Sequence, residues 1–267
     1  MIHARLLTAL LLVTVVTLAA SARDGKAAFV ERTITDGASS YRYKVFVPAN
    51  WTGKKKWPVI LFLHGAGERG DDNLAQTRVG IGPALDRQKD TLQAVVVLPQ
   101  CARDRWWPEP EMQARALRAL DEAAKEFNGD SSRTYLTGLS MGGYGAWAIA
   151  ASNPKRFAAL AVVCGGVRTP PRAGARSSSL DVAAGDDPYR ATAEKIGKLP
   201  IWVFHGGADP VVPVTESQKM VEAFKSLGVS ARYTEYAGVG HNSWDKAYAE
   251  AELFPWMLSQ RLRRARR

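Results

Sequence analysis

Thiols and imidazoles are scarce here: two cysteines and four histidines in 267 residues. So few cysteines exclude a disulfide-stapled scaffold. No cluster of His, Cys and acidic residues at ligand spacing points to a metal, and no cofactor is expected. Acids are also in short supply, with 26 Asp and Glu against 36 Lys and Arg, a formal net charge of +10. No recognition motif accompanies that charge, so nucleic acid is not an expected partner. The apolar stretch Leu6 to Ala20 falls short of the ~20 residues that span a bilayer. Lying after Arg5 and before the small residues Ala20-Ser21-Ala22, it reads as a secretory signal peptide over residues 1–22. Export to the periplasm or beyond is the expectation, and with no cysteine near the cleavage site a lipid-modified N-terminus is not.

What remains is ordinary globular composition, 46% hydrophobic and 23% charged, enough for one catalytic-size α/β domain over residues 23–260. A basic tail follows at 261–267, where Arg261, Arg263, Arg264, Arg266 and Arg267 supply five of the positive charges. Such a tail is either simply solvated or weakly drawn to an anionic surface.

The most informative stretch is Gly138-Leu139-Ser140-Met141-Gly142-Gly143. Arg133 to Thr137 is β-branched and aromatic and reads as a strand, whereas Tyr144 to Ser152 reads as a buried helix. Ser140 sits in the turn between them. A turn this sharp strains its central residue and leaves no room for a Cβ two positions either side, hence glycine at 138 and 142. Strain lifts the hydroxyl clear of the sheet, and the Met141 N–H at the helix N-terminus points where an oxyanion would form.

Around that turn the chain alternates. Phe29 to Thr35 and Tyr41 to Pro48 read as a hairpin joined at Asp36-Gly37. Pro58 to Leu63, Ala94 to Pro99, Ala159 to Val163 and Pro200 to Phe204 are apolar runs of the kind a parallel sheet buries on both faces, and Ala231 to Tyr236 is the last strand. Helical spacing of Met112, Leu117, Leu120, Ala124 and Phe127 predicts a helix over Glu111 to Asn128. A short helix is expected over Ala191 to Lys198, and Thr215 with Gln218 reads as a capping box for a helix over Glu216 to Leu227. Arg168 to Asp187 has no periodicity and is too short for a lid domain, which leaves the site open to bulky or polymer-linked substrates.

A nucleophilic serine needs a base and an acid. Asp209 follows the strand Pro200 to Phe204, as an orienting carboxylate should; Asp186 and Asp187 precede that strand. His241 lies in a glycine-flanked loop after the last strand and is the expected base. His3 leaves with the signal peptide, while His64 and His205 each open a glycine-rich loop at a strand end. Trp106 and Trp107 follow the strand Ala94 to Pro99, on the side where open α/β sheets bind ligands. They either stack on a sugar or aromatic acyl group or pack internally.

The order Ser140, Asp209, His241 after these strands resembles the α/β-hydrolase superfamily, over roughly Tyr41 to Gln260. The nearest likeness is to lidless secreted carboxylesterases and to dienelactone-hydrolase-like and prolyl-oligopeptidase-like serine hydrolases. The resemblance implies a single α/β domain with a mostly parallel eight-stranded sheet and helices on both faces. It implies an ester substrate, small or polymer-linked, and a second oxyanion N–H from Ala66 in His64-Gly65-Ala66-Gly67. In its strand order Cys101 and Cys164 end the fourth and sixth strands, three spacings or about 14 Å apart, too far for a disulfide. Two departures count. The propeller of prolyl oligopeptidases is missing, which weighs against peptidase activity, and serine stands where dienelactone hydrolases use cysteine, which weighs against that reaction. Phospholipase, thioesterase and peptidase activities, and a non-catalytic binding role, stay open.

Overall fold

In a computed structural model that describes residues 26–36, 39–168 and 186–262, the apolar runs become the interior of one sheet. The signal stretch, the tail beyond Leu262 and nearly all of the aperiodic segment after Arg168 lie outside the described residues. Strands β1 (Ala28–Asp36), β2 (Ser39–Val47), β3 (Trp57–Leu63), β4 (Val95–Pro99), β5 (Gly129–Leu139), β6 (Ala159–Val163), β7 (Ile201–Gly206) and β8 (Ala231–Tyr236) assemble in the order β1-β2-β4-β3-β5-β6-β7-β8. β1 and β2 form an antiparallel hairpin, and β2 joins β4 antiparallel. From β4 to β8 every pairing is parallel.

Every residue of β3 is buried, because helices cover both faces of the sheet. Alternation divides its side chains. Val59, Leu61 and Leu63 join the cluster beneath α2 (Pro110–Glu126), α3 (Met141–Ser152), α4 (Pro188–Ile196) and α5 (Thr215–Ser226). Ile60 and Phe62 face the opposite cluster, covered by α1 (Ile81–Arg87), α6 (Trp244–Ala247) and α7 (Leu253–Ser259). Each such side chain contributes about 1.5–3 kcal/mol relative to exposure.

Local differences from the sequence reading have physical causes. β5 begins four residues before Arg133, at Gly129, because that residue pairs with Trp57 across a register irregularity. The polar run from Gly129 to Arg133 would not suggest a strand by itself. Asp187 caps α4 by accepting from the Arg190 amide at 3.0 Å, so that helix starts at Pro188. No capping box forms at α5: Val214 is the helical N-cap and Thr215 makes no side-chain cap bond. The first turn is met instead by the Pro213 and Val214 carbonyls, and Gln218 reaches across to Glu235 at 3.0 Å. β4 and β6 are separated by β3 and β5, and Cys101 and Cys164 are both free and buried.

Candidate active site

At the junction of β5 and α3, Ser140 adopts φ 51° and ψ −121°. A side-chain-bearing residue enters that region at a cost of ~1–3 kcal/mol, which the surroundings must offset. The glycines are what let the turn close. A Cβ on Gly138 would lie 2.2 Å from the Gly142 carbonyl oxygen, and one on Gly142 would lie 2.0 Å from the Leu63 oxygen. The Ser140 amide donates to Val163 at 2.9 Å, and its carbonyl accepts from the Gly143 and Tyr144 amides at 2.8 and 3.2 Å. Those bonds fix the backbone and leave the hydroxyl outward. Met141 opens α3, where no carbonyl of the helix can reach its N–H.

β3 delivers the second wall. His64 is fully buried, and its Nε2 accepts from the Cys101 amide at 2.9 Å. The proton therefore sits on Nδ1, which donates to the Gly65 carbonyl at 2.7 Å. Burial lowers the His64 pKa to about 4, so it braces the loop as a neutral group. A Cβ on Gly65 would lie 3.7 Å from Ser140 Cβ and 3.1 Å from a Glu68 carboxyl oxygen, which sets the turn Ala66–Glu68 beside Ser140. Arg69 Nε donates to the Ala66 carbonyl at 3.0 Å, and Gln100 ties the Glu68 carbonyl to the Asp72 carboxylate at 2.9 and 2.8 Å. The Glu68 carboxyl is raised by desolvation, against hydrogen bonds from the Gly65 and Glu68 amides.

Loops after β7 and β8 bring in the other two groups. Ser140 Oγ lies 2.9 Å from His241 Nε2, and His241 Nδ1 lies 2.7 Å from Asp209 Oδ2. Since a carboxylate can only accept, Nδ1 carries the proton and Nε2 is free to take the serine's. The histidine is 19% exposed and the aspartate side chain 0%, so substrate can meet the imidazole while water cannot reach the acid. Burial opposes ionisation of Asp209, but His205, His241 and the Val212 and Val211 amides outweigh it and hold the pKa well below the carboxylate range. His205 Nε2 sits 3.3 Å from Asp209 Oδ2 and 3.0 Å from the Val212 carbonyl, and its Nδ1 is 2.6 Å from Ser217 Oγ. Two acceptors at Nε2 put the proton there, with Ser217 donating to Nδ1.

The loops that carry Asp209 and His241 are also clasped to each other. Gly207 and Ala208 amides donate to Tyr236 and Val239 at 2.9 Å each. A Cβ on Gly206 would fall 2.2 Å from the Gly240 oxygen.

The two tryptophans part company. Trp107 is 1% exposed, donates to the His64 carbonyl at 3.0 Å and meets the His64 ring edge-on; the structure puts it in the core and not at a rim. Trp106 is partly exposed, with its ring edge-on to Tyr144 and the Arg69 guanidinium 6.0 Å away. Asp187 is spent on its helix cap and Asp186 is exposed, so neither meets a histidine.

Two neighbours were missed from sequence. His205 stands four residues before Asp209, a spacing that could have suggested support for the acid. Cys164, at φ 40°, places its sulfur within 4.8 Å of ligand atoms of Asp209 and His241. Nothing in the sequence signals that approach. Burial pushes its thiol up to about 12, and His241 and Asp209 are already bonded to each other.

Comparison with known proteins gives the family and the fold. The dienelactone hydrolase family profile matches residues 32–251. A protein named "Probable feruloyl esterase C" from Aspergillus terreus is 26% identical over 227 residues, covering 84% of this chain and 75% of that one. An "Uncharacterized secreted protein" of Arthroderma benhamiae is 27% identical over 209 residues, 70% of this chain and 21% of the other. The crystal structure of a thermostable esterase superposes with a TM-score of 0.72 at 33% identity, over 87% of this chain. This chain spans 63% of that esterase's length. The fold is that of the α/β-hydrolases.

Proposed function

Because the chain belongs to the dienelactone hydrolase family, we propose that it is a serine hydrolase cleaving carboxylic esters through an acyl-enzyme. One observation carries the proposal: the unbroken line from Ser140 Oγ to His241 to the buried Asp209 carboxylate. In the first step His241 Nε2 takes the hydroxyl proton as Oγ attacks the ester carbonyl, and the Met141 and Ala66 amides receive the oxyanion. The imidazolium is stabilised by Asp209 and returns its proton to the leaving alcohol. Water then repeats the sequence on the acyl-serine, releasing the acid and restoring the hydroxyl.

Esters are favoured over amides by the similarity to esterases, and the partly exposed Trp106 ring suits an aromatic acyl group. We place the working enzyme outside the cytoplasm, following the Leu6–Ala20 stretch and the secreted relative. N-terminal sequencing of the protein recovered from the periplasm or medium should begin after Ala22.

Ser140→Ala tests the central assignment. Turnover of a short aryl ester should fall at least ~10³-fold with the fold intact, and retention of more than about a tenth of activity would refute it. A panel of aryl acetates, feruloyl sugars, phospholipids, acyl thioesters and peptide amides ranks the substrates. Faster amide or phospholipid turnover than ester turnover would replace the proposal by that activity.

A further inference from the structure

Asp209 meets two imidazoles, where the serine mechanism proposed above needs one. His205 lies at the finish of β7, a strand whose every residue is buried, and the His205 and Asp209 side chains expose no surface. The carboxylate is fully subscribed. Its Oδ1 accepts from the Val211 and Val212 amides at 2.8 and 3.0 Å, while its Oδ2 lies 2.7 Å from His241 Nδ1 and 3.3 Å from His205 Nε2. The His205 N–H is shared, with its shorter leg of 3.0 Å running to the Val212 carbonyl.

The ring is fixed from behind by α5. Ser217, buried in the first turn of that helix, places its hydroxyl 2.6 Å from His205 Nδ1. Other ionisable groups nearby are committed elsewhere. Glu216 accepts from the Val167 and Arg168 amides and the Tyr189 hydroxyl. Glu235, opposite His205 in the β7–β8 ladder, accepts from Tyr233 and Gln218, and Asp245 accepts from Asn242. Burial pushes the Cys164 thiol up to about 12 and raises the Tyr144 hydroxyl as well, so both are neutral where an esterase works. Asp209 is thus the one carboxylate within salt-bridge distance of His205 among the described residues. A side chain needed only to fill this space would be apolar, since a buried polar ring is tolerated through the bonds it makes.

We propose that His205 is a positioning residue for the hydrolysis: pinned by Ser217, it shares its Nε2 proton with Asp209, and this sharing sets the pH below which His241 stops accepting the Ser140 proton. The proposal rests on the serine mechanism and deepens it. Burial opposes the charge on Asp209, and the largest offset to that burial comes from His205, ahead of His241. An oxygen divided between two N–H groups attracts an imidazolium less than one reserved for a single partner. Removing the second donor should therefore make His241 hold its extra proton to higher pH. The acid limb of the rate profile then moves up.

The test compares His205→Asn with His205→Gln. A glutamine amide reaches the place of Nε2 and can still donate to Asp209, whereas an asparagine amide reaches only the place of Nδ1, beside Ser217. Both are polar and neutral. With turnover of a soluble aryl acetate first shown to require Ser140, kcat/KM is followed from about pH 5 to about pH 9. In His205→Asn the acid limb should move up by at least ~0.5 pH unit with KM within about twofold of native, while His205→Gln should keep the limb within ~0.2 unit. Ser217→Ala leaves the Nε2 proton in place but frees the ring, so it should move the limb the same way by less; it decides the matter if His205→Asn does not fold. A limb that stays put in His205→Asn while activity drops at every pH, an equal shift in both His205 variants, or an unmoved limb in Ser217→Ala standing alone would overturn the proposal and leave the serine mechanism intact. Turnover indifferent to Ser140→Ala would instead defeat that mechanism, and the role of His205 with it.

Discussion

Acidification should uncouple the loop that His64 braces, and the size of the effect follows from its surroundings. Burial lowers the His64 pKa from 6.5 to about 4, and a proton on Nε2 would confront the Cys101 N–H that Nε2 now accepts. The folded state therefore refuses a proton that the unfolded chain takes up. Stability from this residue is fully present above pH 6.5 and is lost as the pH falls towards 4, the reverse of a histidine that gains an acidic partner. A shift from 6.5 to about 4, at ~1.4 kcal/mol per unit, amounts to about 3 kcal/mol. The assay is urea unfolding at pH 7, 5.5 and 4, on the native protein and on His64→Gln, whose amide can still accept from Cys101 and donate to Gly65. Carboxylates titrate in both proteins, so the comparison isolates the histidine. The native protein should lose about 3 kcal/mol more than the variant across that range. Parallel stability curves, or an imidazole resonance titrating near 6.5, would refute the reasoning.

Asp209→Asn should reduce kcat by about 10⁴-fold, since an amide presents a donor where His241 Nδ1–H needs an acceptor; steady-state kinetics on an aryl acetate checks this. Trp107→Ala should destabilise the fold by about 3–5 kcal/mol in denaturant titration, because the ring is core and also bonds the His64 carbonyl. Trp106→Ala should leave stability nearly unchanged and raise KM for a feruloyl ester more than for an acetyl ester. Gly142→Ala puts a methyl group 2.0 Å from the Leu63 oxygen, so soluble folded protein should be lost, as circular dichroism would register.

Much of this molecule could be read from residue order alone, for a physical reason. β3 and β7 sit between two helical layers, so both of their faces are apolar and the runs stand out. The elbow is equally legible because a Cβ on Gly142 would lie 2.0 Å from the Leu63 oxygen, so only glycine fits there. Legibility fails where a partner distant in sequence decides the outcome. Gly129 to Arg133 is polar and joins the strand only because Gly129 pairs with Trp57 of β3, ahead of the register irregularity. The Thr215-Gln218 pattern has the right letters, yet Pro213 and Val214 carbonyls already meet the helix donors. Trp106 and Trp107 are neighbours in sequence with opposite fates, set by whether the ring turns inward to His64 or outward past Tyr144. The support of Asp209 by His205, itself held by Ser217 across 12 positions, belongs to the same class.

The account rests on Ser140 being activated by the imidazole beside it. Incubation of the folded protein with a fluorophosphonate probe, followed by peptide mass analysis, measures that activation directly. Stoichiometric label on the peptide containing Ser140, abolished in His241→Ala and absent after unfolding, is the predicted result. A folded protein that leaves Ser140 unlabelled, or labels it equally well without His241, would contradict it.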